Sequence, residues 1–143
     1  MNIELVKVGK PSLREAEHLA GEYHKRLKTF GQLQVRLFRH EKQFLALTKN
    51  PDLREILLDE HGKQLSSPEL SQELKAIKEQ GVWRGVRFVV GGPDGFSDQA
   101  KSRADMTWSL SRAVFPSDIA WFLVAEQVYR GFSILSGHPY HRE

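Results

Sequence analysis

The sequence predicts an α/β domain, a mostly parallel sheet flanked by helices, on three observations. Short apolar runs alternate with stretches of helical period, the order expected of strand–helix–strand units. The clearest run, residues 86–90 (Val-Arg-Phe-Val-Val), is followed at once by Gly91-Gly92-Pro93-Asp94-Gly95, a turn at the end of a buried strand. No internal repeat, low-complexity tract or linker interrupts the 143 residues, so one domain spanning 1–143 is expected.

Residues 2–8 alternate and read as the opening strand. Ser12 followed by Glu15 three positions on has the pattern of a capping box. Leu13, Ala16, Ala20, Tyr23 and Leu27 then recur at helical spacing until Gly31. Residues 33–37 alternate as a second strand, and 41–47 have room for barely two helical turns before Asn50-Pro51. A short third strand is expected over 54–58, ending at Asp59. Ser67 is the expected cap of the next helix, with Pro68 at its favoured first position and Gly81 past its end. After the strand at 86–90, Ser97 caps a helix over 98–104, and 106–110 forms a fifth strand.

The last helix, expected over 118–136, is apolar in succession from Ile119 to Ala125, with Val128, Tyr129 and Phe132 beyond. That is too apolar all round for a helix with one wet face. One face is expected on the sheet and the other against a second subunit, so a homodimer is expected.

Composition bounds the function classes. At 40% apolar and 27% charged residues the chain is a globular domain. No apolar run approaches the ~20 residues that span a bilayer, so no membrane partner is expected. Met1-Asn2-Ile3-Glu4 has neither a basic nor an apolar leader region, and a cytoplasmic protein is expected. The absence of cysteine excludes disulfides, thiolate catalysis and cysteine-ligated zinc. Residues 1–50 carry ten Lys/Arg against five Glu, whereas 51–143 carry eleven against thirteen acidic residues. The basic first third is either a footprint for phosphate backbone or an ordinary solvated face.

Three segments hold the candidate chemistry. The loop from Gly91 to Gly95 lets backbone approach a ligand beyond a strand's carboxyl end. It matches neither the dinucleotide fingerprint nor a phosphate loop, which argues against dinucleotides and triphosphates. Leu110-Ser111-Arg112-Ala113-Val114-Phe115-Pro116 mixes apolar side chains with two donors. The chain then closes on His138-Pro139-Tyr140-His141-Arg142-Glu143. His138 and His141 have a spacing compatible with metal, but no third ligand stands near them, so no metal is expected. Proton transfer or RNA contact is the better use of two imidazoles.

Residues 88–97 (Phe-Val-Val-Gly-Gly-Pro-Asp-Gly-Phe-Ser), Trp108-Ser-Leu-Ser111, Phe115-Pro116, Ala125-Glu-Gln-Val-Tyr-Arg130 and the terminal hexapeptide closely resemble the ribosomal RNA large subunit methyltransferase H family of the SPOUT superfamily. The resemblance covers essentially the whole chain. It implies a SPOUT-type fold with a C-terminal trefoil knot, a homodimer, and S-adenosyl-L-methionine (SAM) as cofactor. It further implies methylation at N3 of a pseudouridine in the helix 69 loop of 23S ribosomal RNA, on assembled ribosomes. By position, the resemblance places Leu58, Gly91, Gly92, Leu110, Ser111, Arg112, Ala113, Val114 and Phe115 in the cofactor pocket. It places His138, Tyr140, His141 and Arg142 in the catalytic tail. His138 or His141 as base, against a tail that only binds phosphate and sugar, stays open at this level, with Arg130 and Arg142 as candidate phosphate contacts. A non-catalytic ribosome binder and a knotted enzyme acting on tRNA are the competing classes. The chain departs from the family between the second and third strands, where residues 39–51 leave room only for a short helix.

Overall fold

A computed structural model describes residues 1–142; Glu143, the last residue of the tail motif, lies outside the described residues. The elements run β1 (Asn2–Val8), α1 (Arg14–Leu27), β2 (Gln32–Phe38), α2 (Glu41–Ala46) and β3 (Leu53–Gln64). They continue as α3 (Ser67–Gln80), β4 (Gly85–Val90), α4 (Asp98–Arg103), β5 (Met106–Ser109) and α5 (Ser117–Ser136). All five strands are parallel, in the order β2-β1-β4-β3-β5.

The centre of this sheet is covered on both faces, so β1 and β4 are buried almost without interruption. On one face α5 lies between α1 and α3, and Leu5, Phe88, Ile77, Trp108, Val124 and Phe132 share a core. On the other, the short helices α2 and α4 bring Phe44 and Ala100 onto Val6, Leu57 and Val89. Charged residues inside the strands are buried with counter-charges. Glu4 of β1 stands opposite Arg87 of β4, and Arg87 opposite Glu55 of β3. The ion pairs Arg87–Glu4 (3.2 Å) and Arg87–Glu55 (3.1 Å) cross between strands, Arg103 of α4 joins Glu55 at 3.0 Å, and Arg36 closes the row on Glu4 at 3.0 Å.

Three local expectations are corrected. First, Ser12 does not cap α1 with Glu15. The helix begins after Leu13 without a side-chain cap of its own, and a carboxylate from the far end of the chain takes that place. Asp118 Oδ2 accepts from the Ser12 N–H (2.7 Å), the Ser12 hydroxyl (3.1 Å) and the Leu13 N–H (2.5 Å). A charged acceptor outcompetes a serine hydroxyl for the unpaired N–H groups at a helix start.

Second, α3 is capped by Ser66, not Ser67. The Ser66 hydroxyl accepts from the Glu69 N–H at 3.2 Å while Glu69 Oε1 accepts from the Ser66 N–H at 2.8 Å. Ser67 sits one position later and donates to Gln127 Oε1 at 2.7 Å, joining α3 to α5.

Third, β3 does not stop at Leu58. It runs to Gln64, with Leu58 and Lys63 both paired to Trp108 and residues 59–62 looped out between them. Gly62 permits this close return, because a Cβ there would lie 2.7 Å from the Trp108 nitrogen. The remaining elements follow the sequence reading, including the Ser97 cap of α4 (Ala100 N–H to Ser97 Oγ, 3.2 Å) and a six-residue α2 in the shortened region. Among the described residues no helix is long and apolar enough to cross a membrane.

Candidate functional site

The carboxyl ends of β4 and β5 and the looped-out stretch of β3 after Leu58 enclose a cavity of about 210 Å³. Leu58 and Asp59 form its side from β3, residues 90–96 its floor from β4, and Leu110, Ser111, Ala113, Val114 and Phe115 its far wall after β5. Such a position, beyond the strands of a parallel sheet, is where open α/β folds bind ligands. Eight of the nine expected pocket residues therefore meet in one place.

The polar walls of the cavity are set by backbone packing. A Cβ on Gly91 would lie 2.9 Å from the Phe96 ring, so the loop can lie this close to the aromatic wall only with glycine there. The Ser117 hydroxyl donates to the Gly91 carbonyl at 3.0 Å and draws the start of α5 to the cavity. Within the far wall the Ser109 hydroxyl donates to the Ser111 carbonyl (2.8 Å), and Ser111 Oγ accepts from the Ala113 N–H (3.0 Å). These turns leave Val114 77% exposed and Phe115 37% exposed at the cavity mouth. Apolar side chains that open to water beside a cavity are walls without a contact.

Arg112 is the ninth. It does not line this cavity but a neighbouring open one of about 580 Å³, with Glu60, His61, Gly62 and Gln64. The tight Ser111–Ala113 turn separates it from its neighbours in the wall. Conversely, Asp59, Glu60, Phe96, Ser117 and Ala120 line the pocket although the sequence reading did not select them. All five flank segments that it did select, so adjacency was the available signal.

The tail lies elsewhere. Gly137, at φ 74°, ends α5 in the left-handed conformation, and the His138 N–H donates to the Ser133 carbonyl at 2.9 Å. This glycine-terminated C-cap turns the chain back along α5. Tyr140 then seats its ring against Tyr129 (4.8 Å between centroids). Its phenol is 2.9 Å from the Tyr23 hydroxyl and donates to Glu126 Oε1 at 3.0 Å. Burial, then the Tyr23 and Glu126 contacts, push the Tyr140 phenol well above its ordinary value. The Arg130 Nη1 lies 3.1 Å from His141 Nδ1, while His138 Nδ1 accepts from the Tyr140 N–H at 3.2 Å and its ring is exposed. Arg142 is exposed.

None of these tail residues lines the cavity of its own chain. Tyr140 reaches α5 at Glu126, six residues beyond Ala120 and about 9 Å further along the helix. The structure thus gathers the expected catalytic residues with one another and keeps them apart from the expected cofactor pocket. A further imidazole, His24, stacks edge-on against Trp121 at 5.2 Å, and burial lowers its pKa to about 4. Among the described residues no cluster of three or more His, Cys, Asp or Glu is placed to hold a metal ion.

The chain matches, over residues 1–141, the family model described as "Predicted SPOUT methyltransferase". It is 38% identical to a ribosomal RNA large subunit methyltransferase H from Deinococcus deserti, over 99% of this chain and 100% of that protein. It is 33% identical to the protein of the same name from Pseudomonas putida, with 99% and 100% covered. Among solved structures, a probable methylase family protein from Haemophilus influenzae superposes with a TM-score of 0.58 at 11% identity, covering 99% of this chain and 70% of that one. At that identity the likeness supports the fold alone. Full-length relatives above the 30% level, a family model spanning nearly every residue and a five-stranded parallel sheet agree: the chain belongs to the SPOUT methyltransferases, in the ribosomal RNA large subunit methyltransferase H family.

Proposed function

We propose that this protein is a homodimeric, SAM-dependent methyltransferase that methylates N3 of a pseudouridine in the helix 69 loop of 23S ribosomal RNA on assembled ribosomes. The observation that carries the reading is the cavity between the carboxyl ends of β4 and β5 and the looped-out stretch of β3. Its walls are two of the three sequence segments singled out for chemistry, together with Leu58.

The cavity's chemistry fits the nucleoside end of SAM. Leu58, Leu110, Val114 and Phe115 offer apolar faces for a purine, and Gly91 and Gly92, without side chains, let backbone lie close to it. Asp59 and Glu60 offer carboxylate acceptors for hydroxyl or ammonium groups. When bound, the cofactor would supply a methyl group activated by a sulfonium, with no need for metal. The protein's part is to align the target nitrogen with that methyl at about 3–3.5 Å and to exclude water.

Two features support a dimer with shared sites. At about 210 Å³ the cavity falls below the ~300 Å³ lower bound usual for ligand pockets, as expected where one wall is missing. The catalytic tail meanwhile packs against α1 and α5 of its own chain, away from its own cavity. In this reading the tail of one subunit closes the pocket of the other. The C-terminal trefoil knot belongs to the same reading; it is supported by family membership and by the Ser117–Gly91 hydrogen bond that pins the start of α5 to the β4 loop.

The test is methyl transfer from labelled SAM to 70S ribosomes, free 50S subunits and tRNA. Labelling of 23S RNA in 70S particles, lost when the pseudouridine is replaced by uridine, is the expected result. Labelling of tRNA alone would replace the substrate. SAM binding without any transfer would make the protein a binder.

A further inference from the structure

Among the described tail residues, His141 carries a buried side-chain nitrogen that its own chain leaves without a hydrogen-bond partner. Its Nδ1 contacts Arg130 Nη1 at 3.1 Å, while its Nε2 is buried without a partner. A guanidinium has only donors, so this contact has one polarity: Arg130 donates and Nδ1 accepts. A ring nitrogen that accepts carries no hydrogen. The ring hydrogen of His141 is therefore on Nε2, the atom without a partner.

Arg130 is fixed in this role. Its Nε and Nη2 both donate to Glu126 Oε1, at 2.9 and 2.5 Å, and its guanidinium carbon lies 4.7 Å from the centroid of the Tyr140 ring. Glu126 is in turn 9% exposed and bound by the Tyr140 phenol and by Gln127 Nε2 at 2.8 Å. The Glu126 hydrogen bond holds the Arg130 pKa above its ordinary value. With these partners Arg130 is engaged inside the tail and is not a free phosphate contact.

We propose that Arg130, anchored by Glu126, is a positioning residue that makes His141 a hydrogen-bond donor, its Nε2–H directed at a carbonyl oxygen beside the target nitrogen. His141 then stabilises charge and does not take the proton. The inference rests on the methyltransferase reading above. In the reaction the N3 hydrogen leaves as a proton to water. The N3 electron pair forms the bond to the methyl carbon while the carbon–sulfur pair returns to sulfur, leaving a neutral thioether. The negative charge of the deprotonated imide is shared by its two carbonyl oxygens, and a preplaced N–H donor lowers the energy of that anion.

Nitrogen-15 NMR of ring-labelled full-length protein, with His141 assigned by its loss in His141→Ala, reads the tautomer directly. The expected spectrum shows Nδ1 bare and Nε2 protonated, with Arg130→Met bringing in the Nδ1–H form. A His141 ring with its hydrogen on Nδ1 in the unsubstituted protein, or a tautomer indifferent to Arg130→Met, overturns the assignment.

Kinetics separates donor from base, because a glutamine side-chain amide can replace an Nε2–H donor but not a base. His141→Gln is expected within about tenfold of wild-type kcat, and His141→Ala down about a hundredfold with KM little changed. A His141→Gln enzyme as impaired as His141→Ala, or an effect confined to KM as for a phosphate contact, or one confined to dimer dissociation, overturns the donor role. A wild-type protein that transfers no methyl group to RNA overturns the methyltransferase reading and the substrate half with it. The ring spectrum then still decides the Arg130–His141 half.

Discussion

Asp118 illustrates how much one side chain holds together near the pocket. Its carboxylate lies 3.1 Å from the Lys7 ammonium, with the two side chains 6% and 1% exposed, and it also caps the start of α1. Burial pushes its pKa up, but the Ser12 and Leu13 N–H groups and Lys7 outweigh that, and it is held below its ordinary 3.8. A depressed carboxylate adds stability that is fully present above the unfolded pKa and is lost as pH falls through the folded one. Asp118→Asn keeps the shape but strands a buried ammonium, and is expected to cost about 3–5 kcal/mol at pH 7 in urea denaturation. The deficit should begin to shrink as pH drops below about 4, where the unfolded chain's carboxylate takes up a proton while the folded one, held lower, stays ionised. It shrinks further as pH falls through the folded value. A deficit independent of pH between 7 and 3 would assign the effect to packing. Nothing near Ser12 in sequence announces Asp118, more than a hundred residues away, which is why a local capping box was expected there. The residue types around the pocket were legible; their distant partners were not.

At the scale of elements, what could be read depended on whether the signal was local. The apolar runs of β1 and β4 read correctly because both faces of those strands are covered and each apolar residue is buried. Glu4 and Arg87 in these strands, and Glu55 in β3, carried no such signal, since a charge is placed outward until its counter-charge on the next strand is known. The length of β3 was likewise invisible. Its extension depends on Lys63 and Gln64 pairing with β5 after a looped-out stretch, a long-range event. Helix α3 was legible to within one residue, because two adjacent serines precede Pro68 and only geometry selects the cap. That selection is testable. Ser66→Ala removes the hydroxyl that accepts from the Glu69 N–H, leaving the backbone bond from residue 66 to the Glu69 carboxylate, and is expected to cost about 1 kcal/mol. Ser67→Ala should leave the cap intact and lose only the bond to Gln127, a smaller cost of about 0.5 kcal/mol. Urea midpoints in the reverse order would return the cap to Ser67.

For the molecule as a whole, the proposed function requires the cavity and the tail, which are separated within one chain, to work together. Helix α5 is about 30 Å long, with the cavity at its start and the tail folded against its second half. Along it Ile119, Leu123, Gln127, Arg130 and Ile134 recur at helical spacing and stay only partly buried between α1 and α3. A mostly apolar stripe of this kind is what a second subunit would cover. A symmetric dimer formed there can bring each tail to the other's pocket. Complementation tests this directly. Gly91→Val drives a side chain into the Phe96 ring and should abolish cofactor binding, while deletion of residues 138–143 removes the tail. Each homodimer should be inactive. Co-refolded in equal amounts, the two should give a heterodimer with one intact site, built from the pocket of the truncated chain and the tail of the Gly91→Val chain. Random pairing then restores about a quarter of the wild-type activity per subunit. If pocket and tail were served within one chain, both sites of the heterodimer would be broken and the mixture would stay silent. Silence in a mixture shown by mass spectrometry to contain the heterodimer would therefore remove the shared site and leave each tail to act on its own chain.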